Sequence, residues 1–171
     1  SLINRLSSSD EWLGQVVRDL YQQALGRAPD TGGLAYWIDV LRSGERTVVK
    51  VAASIYASPE HLSRSGGTLE SWVPVLYADL LGRTPGPAET DYWVDQAERR
   101  SRSWVAAAIL GAPESREARV RGQYDHFLGR APEAAGLDYW SDRVGREGDL
   151  ALARSLAGSS EYLARAIVRF G

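Results

Sequence analysis

The apolar positions of this chain recur at helical spacing, in short segments that glycine and proline separate. Leu34, Trp37, Ile38 and Leu41, for example, form a single apolar stripe on a helix. Several segments end in Leu-Gly, where glycine can adopt the left-handed conformation that closes a helix, and proline then prevents the helix from continuing. We therefore predict an all-α fold without a sheet.

One thirteen-residue segment is written three times, at residues 25–37, 81–93 and 128–140. Each copy begins with Leu-Gly-Arg and ends with Tyr-Trp, and a further tyrosine stands sixteen residues before each tryptophan. A second motif between the copies is aligned on a glutamate at four positions: Glu11, Glu60, Glu114 and Glu161. The middle copy has seven extra residues at "RSGGTLE", which predicts a glycine-bearing loop.

These periods predict one helical-repeat domain over residues 1–171, with about three helices in each unit of about fifty residues. The predicted parts are a partial unit, a full unit, a degenerate unit and a last unit: 1–19, 20–66, 67–122 and 123–171. Helices are expected to begin at the glutamate motif, where serine can accept a bond from a free amide: Ser9, Ser58 and Ser159. Pro59 and Pro113 fit the first helical position.

The aromatic residues of the repeat are expected to divide between core and surface. The tryptophans lie on apolar stripes and are expected in the core, as are the tyrosines sixteen residues earlier, with their hydroxyls bonded to a loop: Tyr21, Tyr77 and Tyr124. The tyrosine directly before each tryptophan points about 100° away on a helix. These are the candidates for half-exposed rings: Tyr36, Tyr92 and Tyr139.

The repeated arginine, which follows the helix-ending glycine, has two interpretations: Arg27, Arg83 and Arg130. As a structural residue it would bond the free carbonyls of a helix end, or pair with the acid two residues after tryptophan or with the glutamate of the neighbouring unit. As a binding residue it would offer a polar fork beside an aromatic ring, suited to a sugar or a carboxylate. Asp30 and Glu133 extend such a site, whereas Gly86 takes their place in the second copy, which predicts that the second site is the weakest.

Composition narrows the function classes. Apolar residues make up 44% and charged residues 25% of the chain, with a net charge of −2, as in ordinary globular proteins. This balance argues against nucleic acid as the main partner, and the absence of cysteine excludes disulfides and thiolate metal sites. No apolar run has the length of a membrane span. The chain has no methionine and begins "SLINRL", so we expect a fragment or a processed form of a longer protein.

Catalytic signatures are absent, because the sequence has no phosphate loop, no Gly-x-Ser-x-Gly and no His-Glu-x-x-His. His61 and His126 occupy unrelated positions of the repeat and are expected at the surface or at helix ends. The acids recur with the repeat, whereas a catalytic carboxylate pair would be unique. We therefore expect neither an enzyme nor a bound cofactor or metal.

The motif Leu-Gly-Arg-x-Pro-x-x-x-Gly-Leu-x-Tyr-Trp, followed by Ser-x-Glu-Tyr/His-Leu, resembles the bacterial "domain of unknown function 4214" family over nearly the whole chain. The second copy departs from the motif at residues 86–90. The resemblance implies an all-helical accessory region of secreted or surface proteins, often beside carbohydrate-active or calcium-binding repeat domains. The chain is also distantly similar to the helical linker domains of phycobilisomes, which are assembly modules.

Together these features predict a non-catalytic carbohydrate-binding module of an exported bacterial protein. It would target a glycoside hydrolase or surface protein to a cell-wall or capsular polysaccharide, and its weak sites would act together by avidity. The alternative is a protein–protein assembly or spacer module, with other domains of a parent chain as partners. An aromatic groove beside arginine would favour sugar, whereas a flat apolar face would favour protein.

Overall fold

The computed structural model describes the backbone of residues 2–170 and the side chains of residues 10–168. Within that range the chain forms eleven α-helices and no strand, which confirms the all-α repeated fold. The helices, in chain order, are α1 (Leu2–Leu25), α2 (Thr31–Ser43), α3 (Val48–Tyr56), α4 (Pro59–Arg64), α5 (Leu69–Leu81), α6 (Pro87–Arg99), α7 (Arg102–Leu110), α8 (Pro113–Leu128), α9 (Ala134–Glu147), α10 (Asp149–Ala157) and α11 (Ser160–Phe170).

The helix that carries the glutamate motif runs on into the repeat tyrosine in two places, as α1 and α8. In between, the same stretch is divided into α4 and α5 by a loop. Gly66 and Gly67 adopt positive φ values of 104° and 82° in this loop, a conformation that favours glycine. The extra residues of the middle copy therefore form the predicted loop.

Helix starts agree with the sequence except at Ser9. The Ser58 hydroxyl accepts a bond from the amide of His61, and Pro59 begins α4. Ser159 accepts from the amide of Tyr162. The predicted start at Ser9 is wrong, because α1 begins at Leu2 and continues through Ser9.

The glycine of each Leu-Gly-Arg motif closes its helix as predicted. Gly26, Gly82 and Gly129 have φ values of 65°, 67° and 65°. Each donates its amide to the carbonyl four residues earlier, at 3.0, 3.1 and 2.9 Å. The arginine that follows is thereby held at a fixed corner of every unit.

The three units close on one another. Helix α3 of the first unit packs against α7 of the second, and α5 of the second packs against α8 of the third. Helix α1 also packs closely against α10, so the first unit contacts the third directly. The predicted boundaries at residues 19/20 and 122/123 fall inside α1 and α8. A continuous helix therefore crosses each of these two boundaries.

Candidate functional site

The sixteen-residue spacing between tyrosine and tryptophan corresponds to a hydrogen bond between two helices. The Trp37 indole donates to the Tyr21 hydroxyl at 3.1 Å, and Trp93 donates to Tyr77 at 2.5 Å. Trp140 and Tyr124 occupy the same two positions in the third unit. The prediction that these hydroxyls bond a loop is therefore wrong, because the indole of the next helix reaches them first. The tryptophans are only partly buried, although they pack against the core.

The repeated arginine lies over the ring of the same tyrosine. Its guanidinium carbon stands 5.3, 5.0 and 5.5 Å from the ring centres of Tyr21, Tyr77 and Tyr124. This distance is that of a cation–π contact. The polar fork is thus beside an aromatic ring, as predicted, but the ring is the inner one and not the exposed tyrosine.

The same arginine forms an ion pair with the glutamate motif that closes its unit. Arg27 donates through Nε and Nη2 to the two Glu60 oxygens at 3.0 and 3.1 Å. Arg130 donates likewise to Glu161 at 2.7 and 3.0 Å. The structural interpretation, which pairs these arginines with a glutamate, is therefore correct. The expectation that this glutamate belongs to the neighbouring unit is wrong. Glu60 lies in the same predicted unit as Arg27 (20–66), and Glu161 lies in the same unit as Arg130 (123–171). This is because α4 and α11 fold back to the Leu-Gly-Arg corner.

We call the tyrosine, tryptophan, arginine and glutamate of each unit a clamp: Tyr21, Trp37, Arg27 and Glu60; Tyr77, Trp93, Arg83 and Glu114; Tyr124, Trp140, Arg130 and Glu161. The hydrogen bonds from arginine lower the pKa of Glu60 and of Glu161. The same bonds raise the pKa of the arginines. The first and third clamps therefore stabilise the ionised form of both partners.

The degenerate unit has an additional carboxylate in its clamp. Glu89 occupies the position of the glycines Gly33 and Gly136 of the other units. It accepts from Arg83 at 3.2 Å and from the Tyr77 hydroxyl at 3.2 Å, while Arg83 also reaches Glu114 at 3.3 Å. The bonds from Arg83 and from the Gly86 amide lower the pKa of Glu89. The departure from the motif in the second copy thus supplies a second acid for Arg83.

The predicted acids Asp30 and Glu133 have local structural contacts. The Asp30 carboxylate caps α2 by accepting from the amide of Gly33 at 2.6 Å. Glu133 lies just before α9 and is 3.4 Å from Arg130. The structure therefore gathers arginine and acid in the first and third units, and it occupies the arginine donors with protein acceptors.

The outer tyrosines are exposed as predicted. Tyr36, Tyr92 and Tyr139 are 55%, 53% and 53% exposed. Each ring packs edge-on against the following tryptophan, with ring centres 5.0, 4.9 and 5.2 Å apart. We call these three rings the tyrosine platforms, because each keeps a solvent-facing surface while the clamp tryptophan supports it.

An aspartate–arginine pair follows each platform, and these pairs are not among the site residues that the sequence predicts. Three residues after each tyrosine, and hence on the same helix face, stands an aspartate. The pairs are Asp39 with Arg42, Asp95 with Arg99, and Asp142 with Arg146, at 3.1, 2.8 and 3.0 Å. The aspartate recurs two residues after each tryptophan, and its spacing of three or four residues from the arginine places both on one helix face.

The third platform has one further contact. Arg143 donates to the Tyr139 hydroxyl at 2.7 Å and lies over the ring of Trp140, 5.0 Å from its centre. The first and second units have Val40 and Gln96 at that position. The platforms are thus similar in their rings and different in their polar surroundings.

His61 lies in the last turn of α4, at a helix end as predicted, but it is buried and not at the surface. It packs edge-on against Tyr56, and its Nδ1 accepts from the Trp72 indole at 3.0 Å. Its Nε2 lies 3.9 Å from the Asp79 carboxylate. The loop that divides α4 from α5 folds His61 back onto α5, which explains its burial. His126 is exposed, as predicted.

Among the described residues no group of three or more His, Asp or Glu side chains could hold a metal ion. No helix within residues 2–170 has the length and apolarity needed to cross a membrane.

Comparison with known proteins gives one family. The family model described as "Domain of unknown function (DUF4214)" matches residues 7–65 and, overlapping them, residues 52–120. No curated protein and no solved structure matches the chain significantly. The first match begins within α1 and ends after α4, so it spans a complete clamp with the glutamate motifs on both sides.

Proposed function

The chain belongs to the DUF4214 family, whose function is unknown, and from its geometry we propose that it is a non-catalytic module that binds carbohydrate on the tyrosine platforms. The observation that carries the proposal is the recurrence of a half-exposed tyrosine, supported by tryptophan, at one position of every unit. Such a ring can stack on a sugar face, since it is already fixed and loses little conformational entropy on binding.

The polar partners of the sugar differ from those that the sequence suggested. Arg27 and Arg130 already bond a glutamate and a backbone carbonyl each. The aspartate–arginine pairs beside the platforms are more accessible: the Asp142 and Arg146 side chains are 67% and 68% exposed. We assign hydroxyl recognition to these pairs, because a carboxylate accepts and a guanidinium donates at neighbouring points of one helix face.

The repetition suits a polymeric ligand. A single exposed tyrosine binds a sugar weakly, whereas linked sites raise the effective concentration of the second binding event. A cell-wall or capsular polysaccharide offers many equivalent sugars along one chain. We therefore propose that the module belongs to an exported bacterial protein, and that it directs a glycoside hydrolase or a surface protein to that polymer.

The test is binding to an array of bacterial wall and capsular polysaccharides, followed by calorimetric titration of any ligand found. Replacing Tyr36, Tyr92 and Tyr139 together by alanine is expected to abolish binding while the protein stays folded. Replacement by phenylalanine is the matched control, because it keeps the stacking ring and removes only the hydroxyl. An array without binding to the folded wild-type protein, or unchanged affinity of the alanine variant, would refute the proposal.

Assembly with other helical repeats is the second candidate, and one surface favours it. Ile167 stands six residues after its unit's glutamate, as Val17 and Val120 do, yet it is 71% exposed while both valines are fully buried. Glu11, the counterpart of the clamp glutamates, has no arginine partner among the described residues. Glu11 and Val168 line one cavity of about 650 Å³.

A second copy of this chain is the occupant we assign to that surface, because the chain itself covers the equivalent valines with its own helices. Analytical ultracentrifugation over a range of concentrations tests this assignment. Self-association that Ile167→Asp prevents would support assembly. A monomer at every concentration would exclude it and leave the carbohydrate proposal unaffected.

A further inference from the structure

A groove of about 360 Å³ is lined by α1 and α8, the equivalent helices that lead into the first and third units. Each helix contributes six lining residues. These stand at the same six distances along the chain from the repeat tyrosine, which is Tyr21 in α1 and Tyr124 in α8. The paired residues are Trp12 and Ser115, Gln15 and Ala118, Val16 and Arg119, Asp19 and Gly122, Leu20 and Gln123, and Gln23 and His126. No pair is identical, although the clamp residues on the same two units are.

Five polar side chains around the groove donate hydrogen bonds to other groups of the protein: Gln15, Gln23, Tyr56, Arg119 and Gln123. Amide nitrogens of three glutamines donate to neighbouring protein oxygens at 2.8 to 2.9 Å: Gln15, Gln23 and Gln123. The Tyr56 hydroxyl donates to the Gln23 side-chain oxygen at 2.9 Å. Arg119 donates to the Asp149 carboxylate at 2.7 Å and to the Leu110 carbonyl at 2.8 Å.

Two buried hydrogen-bond acceptors of the groove residues, in contrast, have no donor. Asp149 and Gln123 are 2% and 3% exposed, and each has a buried side-chain oxygen, Oδ1 and Oε1, without a hydrogen-bond partner. A buried acceptor without a partner is costly and marks a place where a donor is missing. Both residues line the groove.

The groove is also negatively charged. Asp19 and Asp79 line it, and neither pairs with a lysine or arginine among the described residues. Arg119 is neutralised by Asp149 at 2.7 Å. The remaining lining is largely apolar, with Trp12 and Leu20 on α1 and Leu80 on α5.

From this arrangement we propose that the groove binds a small organic amine in its protonated form. An ammonium group has three donors and no acceptor, so it matches a site in which the oxygens of Gln123 and Asp149 lack donors. Its positive charge matches Asp19 and Asp79, while an aliphatic body suits the apolar lining. The volume of the groove is within the usual range for small-molecule sites.

Calorimetric titration with three six-carbon probes tests the charge requirement: hexylammonium, 1-hexanol and hexanoate. We expect saturable binding of one hexylammonium per chain, weakened by salt. Hexanol is expected to bind about tenfold or more weakly, and hexanoate not at all. Absence of hexylammonium binding, or equal affinity for hexanol, would overturn the proposal.

Two variants locate the binding. Asp19→Asn and Asp79→Asn keep side-chain size and remove a charge, and each is expected to weaken hexylammonium binding about tenfold. Asp91→Asn is the matched control, because Asp91 is exposed on α6 and does not line the groove. Thermal unfolding establishes that every variant is folded. Equal affinity of all three folded variants would place the amine elsewhere and refute the site.

The groove and the platforms are separate surfaces, since no platform tyrosine lines the groove. The alanine variant of the three platforms is therefore expected to bind hexylammonium like the wild type. Either proposal can fail without the other.

Discussion

The clamps and the groove are built from the same repeat, yet they treat equivalent positions in opposite ways. In the clamps, tyrosine, tryptophan, arginine and glutamate return in every unit, with the arginine over the tyrosine ring and paired with the glutamate each time. Along the groove, the six matched positions of α1 and α8 all differ. Identical residues are what a repeated scaffold needs, because each unit must hold its own helices at the same angles. Different residues at matched positions give the junction of two units a chemistry that neither unit has alone.

The largest effect is expected from emptying a clamp. Tyr77→Ala removes a buried ring that accepts the Trp93 indole and supports Arg83, and should lower the free energy of unfolding by about 3 kcal/mol. Tyr92→Ala, on the exposed platform of the same unit, should cost about 0.5 kcal/mol. Urea denaturation compares the two, and equal losses would show that the clamp is not the part that maintains the fold.

Acid should weaken all the clamps together. Ion pairing holds the pKa values of Glu60, Glu89 and Glu161 below their ordinary value, so they bind fewer protons in the folded than in the unfolded chain. Their stabilisation is complete above the ordinary pKa, about 4.3, and is lost as the pH falls through the lowered values. The midpoints of urea denaturation at pH 7, 4 and 3 measure this loss of stability. Between pH 7 and pH 3 a Glu60→Gln variant should lose less stability than the wild type.

A single clamp arginine should have a smaller effect. Arg130→Ala removes the contacts with Glu161 and with the Tyr124 ring, and should lower the melting temperature. Arg146→Ala breaks only the exposed pair with Asp142 and should lower it less. Thermal unfolding of both variants decides, and the reverse order would contradict the structural role of Arg130.

The smallest effect should come from the groove. Asp79→Asn should change the free energy of unfolding by about 0.5 kcal/mol or less, because Asp79 has no lysine or arginine partner in the part of the chain that is described and lies 3.9 Å from the His61 Nε2. A small change in stability together with a loss of amine binding would show that Asp79 contributes to ligand binding and not to the stability of the fold. A loss as large as that of Tyr77→Ala would instead place Asp79 with the scaffold.

Much of this architecture was predictable, since its causes are local in sequence. Gly26 ends a helix and Pro59 begins one through their effect on adjacent residues. Tyr36 is exposed and Trp37 is partly buried because neighbouring residues on a helix point in different directions. The failures have equally clear causes. Ser9 lies inside a helix that begins upstream of it, and His61 is buried because a neighbouring helix folds over it.

The groove was beyond such reasoning. Asp19 and Asp79 lie on different helices, and Gln123 belongs to a third, so no segment contains the set. They meet only because the first unit closes on the third, and the repeat pattern alone was compatible with a line or a ring. In contrast, Asp39 and Arg42 were recognisable from spacing on one helix face.

That closure also governs how the chain can fold. An open array of helical repeats has only contacts between neighbours, so it can grow from any unit and lose its ends first. Here α1 packs against α10, which follows it by almost the whole chain. The contact surfaces of the two helices are therefore buried only when distant parts of the chain come together. The mean sequence separation of contacts is thereby raised, which slows folding relative to a linear array of the same helices. The three units should consequently unfold in one cooperative transition, and no unit should behave as an independent end.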